Sequence, residues 1–510
     1  VIAFLRNTWR GLTSMRTALI LLFLLALAAM PGALLPQRSL NSAKTADYIA
    51  QHGWWGRLLN KLQFFDVYAS VWFSAVYLLL FISLVGCLLP RLFEYLKAVN
   101  AKPVLTPRNL KRMPHHVEST VDKAPVEVIA DAKVRLRGWR MVVREEDDGG
   151  RTLSAEKGFL RETGNLVFHF AMLGLIVALA LGKLFGYEGQ VIVKADGSQE
   201  FCNSGVLGYD SFHPGLRVDG TDLSPFCLKV TSFTPTYLAN GQPEKFEADL
   251  RYQAGDDIDN GTWRPYTLEV NSPLRTEGDR VYLLGNGYAP VFTVTFPNGE
   301  KRTMDTQWRT TDNITYLSEG ATKFDPPGIT DAQQRRTKQL AITGLFAPTA
   351  ELRGTLLDSS YPDLRDPAVA VDVLQGDTGV DNGRGQSIFT VDQSLIDDGR
   401  LKRVLRTNMR PGEHRTLPDG TDISFDSVKR WVYLQVSHDP GQVWVLVFAI
   451  CLIVGIGASL TIRRRRLWVR AAPADGGRTV VEVGGLARTD QAGYGEEFTR
   501  LSKDVLGGTR

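Results

Sequence analysis

Four apolar stretches of bilayer length constrain this chain more than any other feature: residues 18–35, 67–90, 166–184 and 443–460. A helix rises ~1.5 Å per residue, so about 20 apolar residues cross the hydrocarbon core of a membrane. Each run is close to that length and carries almost no charge. Lys183 lies at the very end of the third run, where its long side chain can snorkel to the headgroups. Arg6, Arg10 and Arg16 precede the first run as they would a cleavable signal. That run is long for a signal core, however, and Pro31-Gly32-Ala33-Leu34-Leu35-Pro36 is a poor small-residue cleavage site, so a retained helix is expected.

Lys and Arg near the ends of the runs give an orientation, because cytoplasmic flanks carry the excess. Arg6, Arg10 and Arg16 come before the first run. Arg91, Lys97, Lys102, Arg108, Lys111 and Arg112 follow the second, and Arg463, Arg464, Arg465 and Arg466 follow the fourth. Placing all three flanks inside alternates correctly over four spans and puts both termini in the cytoplasm. The expected organisation is a cytoplasmic N-terminus (1–17), a first span (18–35), an outer loop (36–66) and a second span (67–90). A small cytoplasmic α/β segment (91–165), a third span (166–184), a large extracytoplasmic β-rich domain (185–441), a fourth span (442–461) and a basic cytoplasmic tail (462–510) follow.

The outer loop spaces Tyr48, Ile49, Trp54, Trp55, Leu58, Leu59 and Leu62 at roughly helical intervals, which predicts an amphipathic helix at the interface. In the first cytoplasmic segment, residues 126–136 read as a helix, and 139–144 with 151–156 as a hairpin around Asp148-Gly149-Gly150. Within 185–441, residues 190–194, 226–232, 246–253, 267–270, 280–284, 291–296, 369–374 and 423–436 alternate polar and apolar side chains. Turn signals such as Asn240-Gly241 and Pro418-Asp419-Gly420 separate them. Many short strands with regular turns predict a β-sandwich or barrel-like domain, while residues 312–347 are less regular and hold a helix or long loop. The predicted fold is thus four transmembrane helices plus an extracytoplasmic all-β domain inserted between the third and fourth.

The chemistry is notable first for what is missing. A formal charge of +4 over 510 residues argues against a nucleic-acid binder. The sequence has no C-x-x-C of a thiol reductant, no C-x-x-C-H for covalent haem, no phosphate-binding glycine loop, no zinc-ligand cluster and no serine-nucleophile elbow. Of the four cysteines, Cys87 and Cys451 lie inside apolar runs. Cys202 and Cys227 fall in the outer domain, either as one disulfide or as two free thiols. Of the seven histidines, His169 lies within the third run, roughly 7 Å past Gly164. An ionisable side chain there is costly and usually functional, and imidazole is a common axial ligand of haem iron. The alternative is a histidine that hydrogen-bonds a neighbouring helix. His52, His213, His414 and His438 lie outside and His115 and His116 inside, each singly more often a surface residue than a ligand.

Ordered short motifs resolve part of this. Ser14-Met15-Arg16-Thr17-Ala18 leads into the first run and Pro31-Gly32 closes it. Phe65-Asp66-Val67-Tyr68, Trp72-Phe73, Leu84-Val85-Gly86-Cys87-Leu88-Leu89-Pro90-Arg91 and Lys157-Gly158 follow, with residues 166–169 opening the third run. Val270-Asn271-Ser272-Pro273-Leu274, Gly285-Asn286-Gly287-Tyr288-Ala289-Pro290 and Val436-Ser437-His438-Asp439-Pro440-Gly441 complete the set. In order and topology the chain resembles the ResB family of cytochrome c biogenesis proteins (ResB/CcsB type), the smaller membrane subunit of System II in the bacterial plasma membrane. That resemblance implies an accessory, non-catalytic subunit of a cytochrome c haem lyase complex. Its multi-spanning partner, of the ResC or CcsA type, carries the tryptophan-rich haem motif that this chain lacks. The pair would carry non-covalent haem b outward for attachment to apocytochrome c, with a thioredoxin-like thiol reductant as a further partner. The family's membrane histidine matches His169, which would ligate the haem iron together with a histidine of the partner. Two other readings stand beside it: a scaffold for the partner that never touches haem, and a membrane-anchored sensor of an outside ligand.

Overall fold

The computed structural model describes residues 2–38, 42–353, 356–380, 387, 389–487 and 493–506; the remainder of the predicted outer loop and tail lies outside the described residues. Four helices are long and apolar enough to cross a membrane: α1 (Met15–Leu34), α2 (Val71–Asn100), α3 (Leu160–Phe185) and α4 (Gln442–Thr461). Few of their apolar side chains are buried, and Leu19 and Phe23 of α1 and Ile450, Ile453 and Val454 of α4 are exposed. A helix that is apolar all round and not covered by protein is a helix for lipid. Ser14 and Ser70 cap α1 and α2 by accepting hydrogen bonds from the backbone N–H groups of Thr17 (3.2 Å) and Phe73 (3.3 Å).

Two helices outrun their apolar stretches. α2 continues for ten residues beyond Pro90, through Arg91 to Asn100. A proline inside a helix forfeits one backbone bond, and the Leu, Glu, Lys and Ala residues that follow are good helix formers. α3 begins six residues before Leu166, with the polar turn Leu160-Arg161-Glu162-Thr163. The loop expected to hold one interfacial helix holds two, Ser42–Gln51 and Gly53–Lys61, broken where Gly53 takes a left-handed φ of +53°.

The chain divides into two compact units, residues 1–179 with 443–510, and residues 180–442. In the first, the soluble part is a five-stranded antiparallel sheet in the order His115–Val121, Thr479–Ala487, Arg465–Pro473, Arg151–Lys157, Arg140–Glu145. Helices Pro125–Arg135 and Tyr494–Leu506 cover it over a core of Val128, Ile129, Leu153, Val469, Val483 and Phe498. Residues 462–510 are therefore no tail: they supply two central strands and a helix to the sheet that the segment before α3 begins. The arginine run after α4 is drawn into this packing. Arg465, 1% exposed, donates from Nε to Glu497 at 2.8 Å, and Arg466 and Arg464 share Glu156. The strand His115–Val121 has only weak alternation, as an edge strand does.

The second unit is β-rich and holds two cores on a common spine. Strands Asp279–Thr295 and Asp422–His438, 17 residues each, pair antiparallel from Asp279↔His438 to Thr295↔Asp422 with two irregularities. One end of this pair, with Tyr187–Lys194, packs Val281, Leu283, Val432 and Val436 against the four-stranded sheet that carries Phe226, Leu228 and Leu250. The other end packs Tyr288, Phe292 and Phe425 against the five-stranded sheet that carries Ile342, Phe346 and Val371. The expected single sandwich is thus two sandwich-like layers sharing long strands. Residues 280–284 and 291–296, expected as separate strands, are one strand. Gly285-Asn286-Gly287 runs within that strand, and Trp431 stacks on Gly287, where a Cβ would lie 2.3 Å from the ring. Within 312–347 the structure has strands Ser318–Phe324 and Leu340–Ala347 around the helix Ala332–Lys338.

Candidate functional site

α3 and α4 cross on small residues. A Cβ on Gly164 would fall 2.7 Å from the Gly455 carbonyl oxygen, and one on Gly455 would fall 2.7 Å from the Phe168 nitrogen. Glycine lets the two backbones approach, as in membrane helix pairs generally. Immediately beyond this crossing α3 presents His169. The ring is half-buried and stands edge-on to Phe168, with centroids 5.1 Å apart. Its Nδ1 is buried without a hydrogen-bond partner among the described residues. The predicted alternative, a histidine that ties two helices by a hydrogen bond at that atom, has no acceptor or donor here. A buried imidazole nitrogen left unmatched is costly unless something outside this chain completes it.

One turn before His169, at Asn165 and Leu166, a cavity of about 480 Å³ opens between three spanning helices. α2 contributes Arg91, Glu94 and Tyr95, α3 contributes Arg161 and Glu162, and α4 contributes Ser459. The Tyr95 hydroxyl meets the Thr163 hydroxyl and pins α2 to α3 beside it. The sequence marks Arg91 as a topological flank and as the end of a family-like motif, not as a ligand-binding residue, and does not single out Arg161. Their signal would have been their shared level at the ends of antiparallel spans.

The other histidines go to separate partners. His52 stacks on Tyr48 and its Nδ1 lies 2.9 Å from that residue's carbonyl oxygen. His213 contacts Ser211 Oγ at 3.2 Å, and His414 contacts Asp422 at 3.1 Å, both exposed. His115 packs on Tyr494 and Phe498, and His116 faces Glu482 at 3.5 Å. His438 differs. Its Nδ1 lies 2.7 Å from Oδ1 of Asp279, whose side chain is fully buried. Tyr187 donates its hydroxyl to Asp279 Oδ2 at 2.5 Å, and Asn203 Nδ2 donates to the same oxygen at 3.0 Å. Tyr209 completes the chain by donating to Asn203 Oδ1 at 2.6 Å. Burial pushes the Asp279 carboxyl up, against the Tyr187 and His438 hydrogen bonds that hold it down. None of these four partners was anticipated, because the network draws on residues far apart in sequence.

Cys202 and Cys227 stand opposite each other in the register of adjacent antiparallel strands, Cα atoms 4.0 Å apart, with their sulfurs bonded. Cys87 and Cys451 are free thiols within α2 and α4.

The ResB-like family profile matches residues 15–499. The cytochrome c biogenesis protein CcsB of Synechococcus sp. (strain JA-3-3Ab) is 23% identical over 97% of this chain and 89% of that protein. The CcsB of Synechococcus sp. (strain CC9311) is 25% identical over 98% of both chains, and that of Prochlorococcus marinus (strain MIT 9303) 23% identical over 98% of both.

Proposed function

The chain belongs to the ResB-like family, and from that premise we propose that it serves cytochrome c biogenesis by handing haem across the membrane, with His169 as an axial ligand of the iron. Haem is cargo here, not a resident group. A multi-spanning partner of the ResC or CcsA type supplies the opposing ligand and the attachment site, and apocytochrome c is the acceptor. The single observation that carries the reading is the buried, unmatched Nδ1 of His169 inside an otherwise apolar spanning helix. An imidazole fixed in a helix and lacking an internal partner suits a ligand that arrives and leaves. The donor set also suits haem iron, which takes one imidazole per face. The cavity one turn away gives this part of the helix bundle an open side.

His169→Gly tests it. The apolar run survives, and the backbone cost is up to about 1 kcal/mol, so the variant inserts. Haem copurifying with the complex falls, cytochrome c fails to mature, and added imidazole restores both in part by occupying the vacated position. Normal haem content and normal maturation in a well-expressed variant would favour the scaffold reading instead.

A further inference from the structure

The cavity beside His169 carries two guanidinium groups that the haem-ligand reading leaves unused. Arg91 donates to the Met15 sulfur at 3.4 Å, and Arg161 donates from Nε to the Ser459 carbonyl oxygen at 3.3 Å. Among the described residues neither forms an ion pair. The arginines just after α4 behave in the opposite way, since Arg464, Arg465 and Arg466 all pair with carboxylates. Two carboxylates do line the cavity. Glu162 is already engaged by Arg464, which leaves Glu94 against two cations. The lining therefore keeps an excess positive charge where α2 and α3 outrun their apolar stretches, and that excess suits an anionic ligand.

We propose that Arg91 and Arg161 receive the two propionate carboxylates of a porphyrin, so that the molecule lies from the cavity along α3 towards His169. The proposal rests on the reading of His169 as a haem ligand for its orientation, but the carboxylate recognition stands on the cavity alone. Arginine is the side chain suited to it, because its planar fork matches a carboxylate with paired donors and stays charged at any working pH. Arg161 lies eight residues before His169 on the same helix, about 12 Å along the axis, and long side chains bridge part of that interval. Arg91, from α2, lines the same space. An anionic phospholipid headgroup offers related chemistry at this depth, and the test separates the two.

The full chain is placed in zwitterionic nanodiscs and titrated with protoporphyrin IX and with its dimethyl ester, followed by fluorescence. The iron-free ring removes axial ligation from the measurement. The wild-type chain is expected to bind the diacid about tenfold or more tightly than the diester, as expected for charge-assisted pairs. Arg91→Gln/Arg161→Gln abolishes that preference and leaves diester binding unchanged, while Arg91→Lys/Arg161→Lys restores part of it. His169→Gly leaves both iron-free affinities unchanged and alters only the absorption spectrum of bound hemin. Equal binding of diacid and diester by the wild type overturns the proposal without any variant having to fold. An equal loss of both porphyrins in the glutamine variant overturns it as well. If phosphatidylglycerol in the nanodisc abolishes the diacid preference, and less of it copurifies with the glutamine variant, the cavity is a lipid headgroup site and the proposal falls. A hemin spectrum indifferent to His169→Gly, with the diacid preference intact, sinks the ligand reading and leaves the arginine site standing.

Discussion

Asp279 decides what His438 can do. With Tyr187 and Asn203 donating to one carboxylate oxygen, the other is left for His438 Nδ1, and that contact orients the imidazole. A buried carboxyl whose acidity is weakened by burial loses stability as it ionises in the fold. The Asp279 contribution is therefore full below the ordinary carboxylate range, near pH 4, and declines as pH rises through the raised value. Asp279→Asn should lower the melting temperature by an amount corresponding to about 1–3 kcal/mol, because an amide NH2 replaces one of the two oxygens engaged by Tyr187, Asn203 and His438. The gap between wild type and variant should narrow from pH 4 upward; a gap that widens over that interval would contradict the assignment. At this scale legibility depended on contrast. His169 was visible in the sequence because an imidazole interrupts an apolar run. Asp279 was not, because a lone aspartate at the start of an alternating strand looks like any solvated residue. Arg161 was hidden for another reason: an arginine at a helix end reads as an orientation signal, and only the bundle shows that it faces a cavity.

Elements were legible where their periodicity was set by one environment. The four spans, the helix Pro125–Arg135 and the hairpin Arg140–Glu145 with Arg151–Lys157 follow from pattern alone. Pattern failed where polar and apolar surroundings meet within one element. The first turns of α3 and the last turns of α2 are helical but polar, so hydropathy ends too early. The strands Arg465–Pro473 and Thr479–Ala487 sit in a segment whose arginines suggested a solvated tail, whereas Glu156 and Glu162 from before the third span, and Glu497 from the final helix, neutralise them. Helix contact was not visible either, yet it decides the geometry around His169. Gly455 abuts Phe168, while a Cβ on Gly457, two residues on, would meet nothing within 4 Å. Gly455→Leu should therefore force α3 and α4 apart at a cost of about 1–3 kcal/mol, seen as lower melting in detergent and as altered hemin spectra. Gly457→Leu on the same helix should do neither. Equal effects from both would mean that the crossing is not what holds His169.

At the scale of the molecule, the question is which unit faces which compartment, and the argument is electrostatic. The Lys and Arg residues before α1 and after α2 and α4 predict that the sheet unit, with both termini, lies in the cytoplasm and the β-rich unit outside. Folding buries Arg464 and Arg465 among carboxylates, which would seem to cancel part of that signal. It does not, because acidic residues weigh little in orientation and the choice is made during insertion, before the sheet forms. Arg6, Arg10, Arg16, Lys97 and Lys102 point the same way without Arg464 to Arg466. Two exposed positions report the outcome: Asn260, at the end of a short helix in the β-rich unit, and Asp147, in the hairpin turn of the sheet unit. In intact cells a membrane-impermeant maleimide should modify Asn260→Cys and spare Asp147→Cys until the cells are opened. The native thiols supply internal controls. Cys87 and Cys451 sit within α2 and α4, shielded by lipid, and Cys202 and Cys227 should stay unmodified in unreduced protein if they are bonded. Reduction should then expose the latter two together, and their linked peptides should appear by non-reducing mass spectrometry. Labelling of Asp147→Cys from outside would reverse the molecule. The His169 cavity, at the Arg91 end of α2, would then open to the wrong side for the proposed uptake of haem from the cytoplasm.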